Sequence, residues 1–123
     1  MKKAPPAASA PARPERWRVD VGDGDVATLM IPPDSIRTRR FEIDCRLVVR
    51  PLGAGAQHAM RVDVDGDLEW TRRAPTENPG QTDSMDYHFR RELPAGKPLR
   101  IVVKTEAVRA RRVRLLIEAE EQA

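Results

Sequence analysis

The chain has few of the residues that define several large classes of protein. Its 123 residues include one cysteine, two histidines, two tryptophans, one tyrosine and two phenylalanines. With Cys45 alone, no intramolecular disulfide can form, and a reducing compartment is compatible with the sequence. No apolar run is long enough to cross a bilayer, and no apolar segment follows Met1-Lys2-Lys3 as it would in an export signal. We therefore expect no transmembrane segment and a cytoplasmic location; a periplasmic or secreted location stays open if an export signal has been removed.

Residues 1–15 differ in composition from the rest of the chain. They contain Pro5, Pro6, Pro11 and Pro14 and almost no large apolar side chain. Such a segment cannot bury enough surface to offset the entropy lost on ordering. We predict a disordered Ala/Pro-rich arm over residues 1–15 and a folded domain over residues 16–121. Deleting residues 1–15 should then leave the melting temperature unchanged.

The charges divide unevenly between these two parts. Residues 1–19 carry five basic and one acidic side chain, whereas the remaining residues carry 17 basic and 18 acidic ones. A nucleic-acid-binding domain needs a basic face, so the nearly neutral domain predicts no nucleic-acid partner. Arginine outnumbers lysine by 18 to 4. We attribute this excess to a genome rich in G and C rather than to guanidinium forks for anions.

Apolar and polar side chains alternate with a period of two along most of the chain, which predicts strands with one buried face. The clearest run is Phe41, Ile43, Cys45, Leu47 and Val49. Asp65-Gly66 is typical of a tight hairpin turn. Residues 108–121 could also form a helix, but the alternation of Val113, Leu115, Ile117 and Ala119 favours a strand. The sequence predicts an all-β fold, an antiparallel two-sheet sandwich of about eight short strands, either jelly-roll or immunoglobulin-like.

The order of the strands predicts which loops lie together. If consecutive strands alternate in direction, residues 22–25, 52–57, 74–84 and 106–110 gather at one end of the sandwich. Residues 32–40, the Asp65-Gly66 turn and residues 94–98 then lie at the other end.

The polar stretch 74–84 is the strongest candidate for a binding loop, because long loops in compact domains are often functional. Trp70 and Tyr87 flank it. We predict a non-catalytic binding or accessory module that engages a protein or another polar partner through its loops. The alternative is a carbohydrate-binding module in which an aromatic ring stacks on the sugar. The candidate ligand-binding residues are Trp70, Glu77, Asn78, Gln81, Asp83, Tyr87 and His88.

Metal binding has weak support in the sequence. Asp63, Asp65 and Asp67 surround a glycine, but the spacing is not that of an EF-hand loop. Asp20, Asp23 and Asp25 would lie near Glu77, Asn78 and Asp83 at one end of the sandwich and could hold a hard cation, although solvated turn residues are the stronger interpretation. A zinc site needs three or four converging ligands, and no such set is visible. We predict no metal and no cofactor.

Catalysis also has weak support. Asp83, Ser84 and His88 are close in sequence, but a catalytic triad is defined by spatial geometry. The G-x-S-x-G motif is absent, so a small hydrolase is the weakest alternative and no catalytic residue is predicted. Val48, Val102 and Leu116 interrupt the polar outer faces of three strands. If those strands are neighbours, the three side chains form an apolar patch through which the chain could form a homodimer, at a sheet face or edge.

Overall fold

The computed structural model describes residues 13–123. Most of this part of the chain forms eight β-strands: β1 Arg16–Asp20, β2 Val26–Ile31, β3 Arg39–Pro51, β4 Gln57–Val64, β5 Asp67–Pro75, β6 Asp83–Leu93, β7 Leu99–Val108 and β8 Ala110–Glu121. The number of strands and the assignment of residues 108–121 to sheet are confirmed. The prediction of disorder for residues 1–12 lies outside the described residues. Within residues 13–123 there is no helix with the length and hydropathy needed to span a bilayer.

The strands form two antiparallel sheets of four strands each. The first sheet has the order β1-β8-β3-β6 and the second the order β2-β7-β4-β5. Each strand of the first half pairs with its counterpart in the second half, β1 with β8, β2 with β7, β3 with β6 and β4 with β5. This nested pairing is the strand order of a jelly roll. It confirms the predicted sandwich and decides between the two types that the sequence left open.

The core lies between the sheets and is built from the inward half of each alternating strand. Phe41, Ile43, Leu47, Met60, Ile101 and Ile117 are among the side chains with no more than 1% of their surface exposed. On the outer face of the first sheet, charged side chains pair across neighbouring strands, as Arg18 does with Glu118, Arg46 with Asp86 and Arg90 with Glu42. Exposed pairs of this kind add little stability individually, but they keep the face polar.

A β-bulge on β8 changes which side chains point inward. On β8 the register against β3 shifts between Val48 and Val49, so that Val113 is an extra residue. Val113 is 43% exposed, and Arg112 turns toward the space between the sheets. The predicted inward position of Val113 and outward position of Arg112 are therefore wrong, because a bulge inserts one residue and reverses the alternation beyond it.

The apolar patch expected from Val48, Val102 and Leu116 is not formed as one surface. Leu116 lies opposite Arg46 in the first sheet and is only 6% exposed. Val48 is a half-buried residue of the same sheet, whereas Val102 belongs to β7 in the second sheet. Since the two sheets face each other across the core, their outer faces point in opposite directions.

The predicted sorting of the loops is confirmed by hydrogen bonds between them. At one end, the Asp25 carbonyl accepts from the Thr105 amide, the Arg109 carbonyl from the Leu52 amide, and the Ala56 carbonyl from the Thr76 amide. We call this end, formed by residues 21–25, 52–56, 76–82 and 109, the loop pole. At the opposite end the Asp34 carbonyl accepts from the Gly96 amide.

A cluster of charged side chains closes this opposite end. Arg37 donates to Glu121 at 2.5 Å and to Glu15 at 3.0 Å, and lies 3.3 Å from Asp34. Arg39 is 2% exposed, donates to Glu15 and to the Pro32 carbonyl, both at 2.7 Å, and lies 5.5 Å from the Phe41 ring centroid. The cluster joins the start of β1 to the start of β3 and the end of β8.

The two ends of the domain are bound to each other. Glu121 is 9% exposed and its carboxylate accepts from the Glu15 amide. Glu15, assigned to the tail, is bound at both its backbone and its side chain. Because these bonds would be lost, removing residues 1–15 should lower the melting temperature.

The buried guanidinium of Arg39 gives a direct test of the cluster. Arg39→Ala should lower the free energy of unfolding by about 3 kcal/mol, because it leaves carboxylate and carbonyl groups without their partner in a closed site. The matched control is Arg40→Ala at the adjacent, exposed position, for which we expect a change within about 0.5 kcal/mol. Urea unfolding of both variants measures the difference; equal losses would contradict the role given to Arg39.

The same cluster predicts a dependence on pH. The hydrogen bond from Arg37 lowers the pKa of Glu121, and the amides of Ile36 and Arg37 lower the pKa of Asp34. A carboxyl group with a lowered pKa stabilises the fold above its unfolded pKa, and this contribution is lost as pH falls through the lowered value. The free energy of unfolding should therefore fall below about pH 4. Glu121→Gln should be less stable at neutral pH and lose less on acidification; acid limbs of equal slope would contradict this.

Candidate functional site

The loop between β5 and β6 is shorter than the sequence suggested and is anchored at its base. It comprises residues 76–82, because both flanking strands extend into the predicted stretch 74–84. The Thr76 amide donates to the Ala56 carbonyl at 2.8 Å, and one Asp83 oxygen accepts from the Glu77 amide at 3.1 Å. Asp83, a predicted ligand-binding residue, thus fixes the loop from within.

The tip of this loop is a tight turn that presents polar side chains. Pro79 and Gly80 occupy its central positions, and the Gln81 amide donates to the Asn78 carbonyl at 2.9 Å. Gly80 has φ of 78°, the positive value that a type II turn requires at this position. Glu77, Asn78 and Gln81 are exposed. The structure therefore brings these three predicted residues together on one projecting turn.

His58 supports the loop from below, a role that the sequence analysis missed. It is 2% exposed and its Nδ1 lies 2.7 Å from the Thr76 hydroxyl oxygen. Burial lowers the pKa of His58, which favours the neutral ring. The signal was present in the alternation of β4, because His58 shares the inward side with Met60, Val62 and Val64.

Trp70 and Tyr87 belong to a stack of aromatic rings between the edge strands β5 and β6. The Trp70 and Tyr87 ring centroids are 4.7 Å apart with an interplanar angle of 12°, and those of Tyr87 and Phe89 are 5.4 Å apart. Glu69 accepts hydrogen bonds from the Tyr87 hydroxyl at 2.9 Å and from Arg91 at 2.5 Å. Burial, together with this bond to Glu69, raises the pKa of Tyr87.

A bulge accounts for the position of Glu69. The register between β4 and β5 shifts between Val62 and Asp63, which makes Glu69 the extra residue on β5. Glu69 and Trp70 are consequently both half-buried although they are adjacent in sequence. These contacts join the two sheets along one side of the sandwich.

The aromatic pair is separated from the loop tip. Trp70 precedes Pro75, the last residue of β5, by five strand residues, roughly 17 Å along the strand. The structure therefore does not place Trp70 and Tyr87 in one site with Glu77, Asn78 and Gln81. The face that Tyr87 turns to Trp70 is covered by the indole ring and cannot receive a sugar.

His88, also a predicted ligand-binding residue, lies on the outer face of the first sheet. Its Nδ1 is 2.7 Å from an Asp44 carboxylate oxygen. Ser84 lies four residues away on the same strand, roughly 13 Å in an extended chain, and its hydroxyl contacts Asp86 at 3.4 Å. The Ser84 hydroxyl is therefore out of reach of the His88 ring, which leaves the hydrolase hypothesis without a nucleophile and base in contact.

Acidic residues of the turns form hydrogen bonds and ion pairs with neighbouring groups of the protein. One Asp20 oxygen accepts from the Gly22 amide at 2.9 Å, and the other is 3.4 Å from Arg114. The Asp65 carboxylate accepts from the Arg100 amide. In the part of the chain that the structure describes, no three histidine, cysteine, aspartate or glutamate side chains are arranged to hold a metal ion. The cation hypothesis thus finds no site among these residues.

Cys45 is enclosed in the core. None of its surface is exposed, and burial raises the pKa of its thiol to about 12. The thiol is the poorly reactive form of cysteine, so this side chain packs rather than reacts.

A second feature of the loop pole was missed by the sequence analysis. A cleft of about 370 Å³ is lined by Asp23, Arg50, Arg111, Arg112 and Val113. Arg50 and Arg111 are directly opposite each other on β3 and β8, and both are exposed. Arg112 donates through its Nε to the Thr105 hydroxyl at 2.9 Å. The signal was the run Arg109, Arg111, Arg112 and Arg114, which we attributed to base composition.

The fold and the loop pole define the protein as a β-sandwich domain of jelly-roll topology. No protein-family model matches the sequence, and no curated protein sequence matches it. Solved structures of similar fold include dimeric latent PorU from Porphyromonas gingivalis, with a TM-score of 0.53 and 8% identity over 86% of this chain. The chain corresponds to 11% of the PorU chain.

The VP2 subviral particle of infectious bursal disease virus has a TM-score of 0.49 and 13% identity, over 88% of this chain and 33% of the viral chain. At these identities the likeness concerns the fold alone.

The aromatic stack has a testable contribution to stability. Tyr87→Phe should lower the free energy of unfolding by about 1 kcal/mol, because it removes the hydrogen bond to Glu69 and keeps the rings. Tyr87→Leu should cost more, since each lost ring pair adds about 0.5–1.5 kcal/mol. His88→Ala, at the next position but on the outer face, serves as the control and should stay within about 0.5 kcal/mol of wild type. Equal values for the two Tyr87 variants would rule out a contribution from ring stacking.

Proposed function

We propose that this domain is a non-catalytic binding module that engages a protein or another polar partner through its loop pole. The observation that carries the proposal is the construction of the loop at residues 76–82. Its base is fixed by Thr76, His58 and Asp83, and its tip exposes Glu77, Asn78 and Gln81. A rigid base with exposed polar side chains lowers the entropy that is lost when a partner binds.

The assignment as non-catalytic rests on the commitments of the reactive side chains. His58 is bound to Thr76, His88 to Asp44, and Cys45 is in the core. Burial keeps His58 and Cys45 away from any substrate, and the exposed His88 is out of reach of the Ser84 hydroxyl. We retain the cytoplasmic location as a prediction.

Carbohydrate binding remains the alternative, but two observations weigh against it. The Trp70 and Tyr87 rings face each other, and they lie away from the polar loop tip. A glycan array separates the two functions, because a carbohydrate-binding module would give discrete hits and the proposed module a flat profile.

A homodimer through a sheet face or edge also stays a prediction. Four of the seven large apolar side chains that are exposed in the described residues belong to strands of the second sheet: Val26, Met30, Leu68 and Val108. The second sheet is therefore the better candidate for self-association. The mass of the protein in solution tests it.

The binding role is tested with protein and peptide arrays probed with the full chain. Glu77→Ala combined with Gln81→Ala should abolish specific hits, because both side chains lie on the proposed contact surface. Asp67→Ala combined with Lys97→Ala removes similarly exposed side chains near the opposite pole and should keep the same hits. If the hits survive the first pair and disappear with the second, the contact surface is at the wrong pole.

A further inference from the structure

The arginines at the loop pole differ from most arginines on the outer face of their sheet, which form ion pairs. Arg18, Arg46, Arg90 and Arg114 each lie within 4 Å of a carboxylate on the same outer face. Arg50, Arg111 and Arg112 form no ion pair among residues 13–123, and residues 1–12 contain no aspartate or glutamate that could supply one. The two exposed guanidinium groups, those of Arg50 and Arg111, therefore lie side by side in the cleft without a bound counter-charge from this chain.

The pair of arginines on β3 and β8 destabilises the sheet when no anion is bound between them. Like charges directly opposite each other on neighbouring strands destabilise a sheet, and Arg50 and Arg111 are such a pair. Asp23, the single carboxylate that lines the cleft, is exposed and forms no ion pair with them among the described residues. Repulsion of this kind is relieved when an anion binds between the two groups.

The bulge at Val113 creates the arrangement. With a regular register, Arg112 would lie opposite Arg50; the extra residue puts Arg111 there instead and turns Arg112 toward Thr105. The Thr105 hydroxyl holds the Arg112 Nε and itself donates to the Asp25 carbonyl at 2.9 Å. Arg112 is thus bound on the inner side of β8, whereas the bulge leaves Arg50 and Arg111 together on the outer side. Bulges of this kind are frequent next to functional sites.

We infer that this cleft binds a compact dianionic oxyanion of the phosphate or sulfate type, held by the guanidinium groups of Arg50 and Arg111. Arginine forks match the oxygens of such groups and bind them through charge-assisted hydrogen bonds. A carboxylate has one charge and two oxygens, which fits one fork, whereas a dianion with three or four oxygens can meet two forks. The cleft is confined to one corner and gives way to ion-paired residues along the sheet, whereas a nucleic acid strand needs an extended basic groove.

This inference rests on the proposed function, because it names a ligand group for the same pole. The first measurement is the shift in melting temperature of the full chain with inorganic phosphate, sulfate, acetate or chloride at matched ionic strength. A ligand that binds only the folded state raises the melting temperature, so phosphate and sulfate should raise it relative to acetate and chloride. The phosphate effect should shrink as the pH falls through the second pKa of inorganic phosphate, because the dianion becomes a monoanion, whereas sulfate stays a dianion and its effect should not change.

Variants then locate the site. Arg50→Gln and Arg111→Gln should each weaken phosphate binding, measured by calorimetry, by roughly tenfold or more. Without phosphate both should be at least as stable as wild type, because one partner of a repulsive pair is removed. Arg111→Lys keeps the charge but loses the fork, so its affinity for phosphate should fall between that of wild type and that of Arg111→Gln. The control is Arg100→Gln, an exposed arginine near the Asp65-Gly66 turn, which should bind phosphate as wild type does.

Two results would overturn the inference: equal effects of phosphate, acetate and chloride, or a phosphate effect that persists in Arg50→Gln and Arg111→Gln. An effect of phosphate that is undiminished below its second pKa would overturn the dianion requirement. Failure here, with array hits that still depend on Glu77 and Gln81, would leave the proposed function intact. Phosphate binding without any such dependence would instead remove the proposed partner surface and keep the anion site.

Discussion

The pairing of β3 with β8 is the interaction on which both ends of the molecule depend. It runs from Phe41 opposite Glu121 to Pro51 opposite Ala110, through the centre of the first sheet. At one end it brings Glu121 to Arg37, and at the other it sets Arg111 opposite Arg50. The single bulge in this ladder, at Val113, changes the side-chain direction only on the loop-pole side. The bulge therefore leaves the inward and outward directions of the side chains unchanged in the buried part of β8 and reverses them in the part that lines the cleft.

The two ends of the sandwich use charge in opposite ways. At the end that holds Arg39, each of the two arginines of the cluster has at least one carboxylate within ion-pair distance, and Arg39 itself is buried. A buried charge without a partner is strongly destabilising, so the ion pairs at this end are needed for the stability of the fold. At the loop pole the arginines lie in an open cleft, where water solvates them and a ligand can replace that water. The exposed arginines of the cleft can lack counter-charges because water solvates them, whereas the buried arginine cannot.

The side chains that looked most like a binding platform instead join the sheets. Trp70, Tyr87 and Phe89 fill the space between the edge strands, and Glu69 accepts from the Tyr87 hydroxyl and from one Nη of Arg91. A jelly roll has open sides where the edge strands of the two sheets approach each other. Large rings with a hydrogen-bonded polar tip can cover such a side without leaving a buried hydroxyl unpaired.

The sequence by itself determined the eight strands, the sandwich and the sorting of its loops, because alternation with a period of two and the turn residues are local signals. It also placed Glu77, Asn78 and Gln81 on an exposed loop. Only the tertiary structure decided the jelly-roll order, the bulges at Glu69 and Val113, the burial of Glu15 and Glu121, and the meeting of Arg50 with Arg111. Each of these depends on pairing between residues far apart in the chain. A bulge cannot be recognised from one strand alone, because it is an extra residue relative to the partner strand.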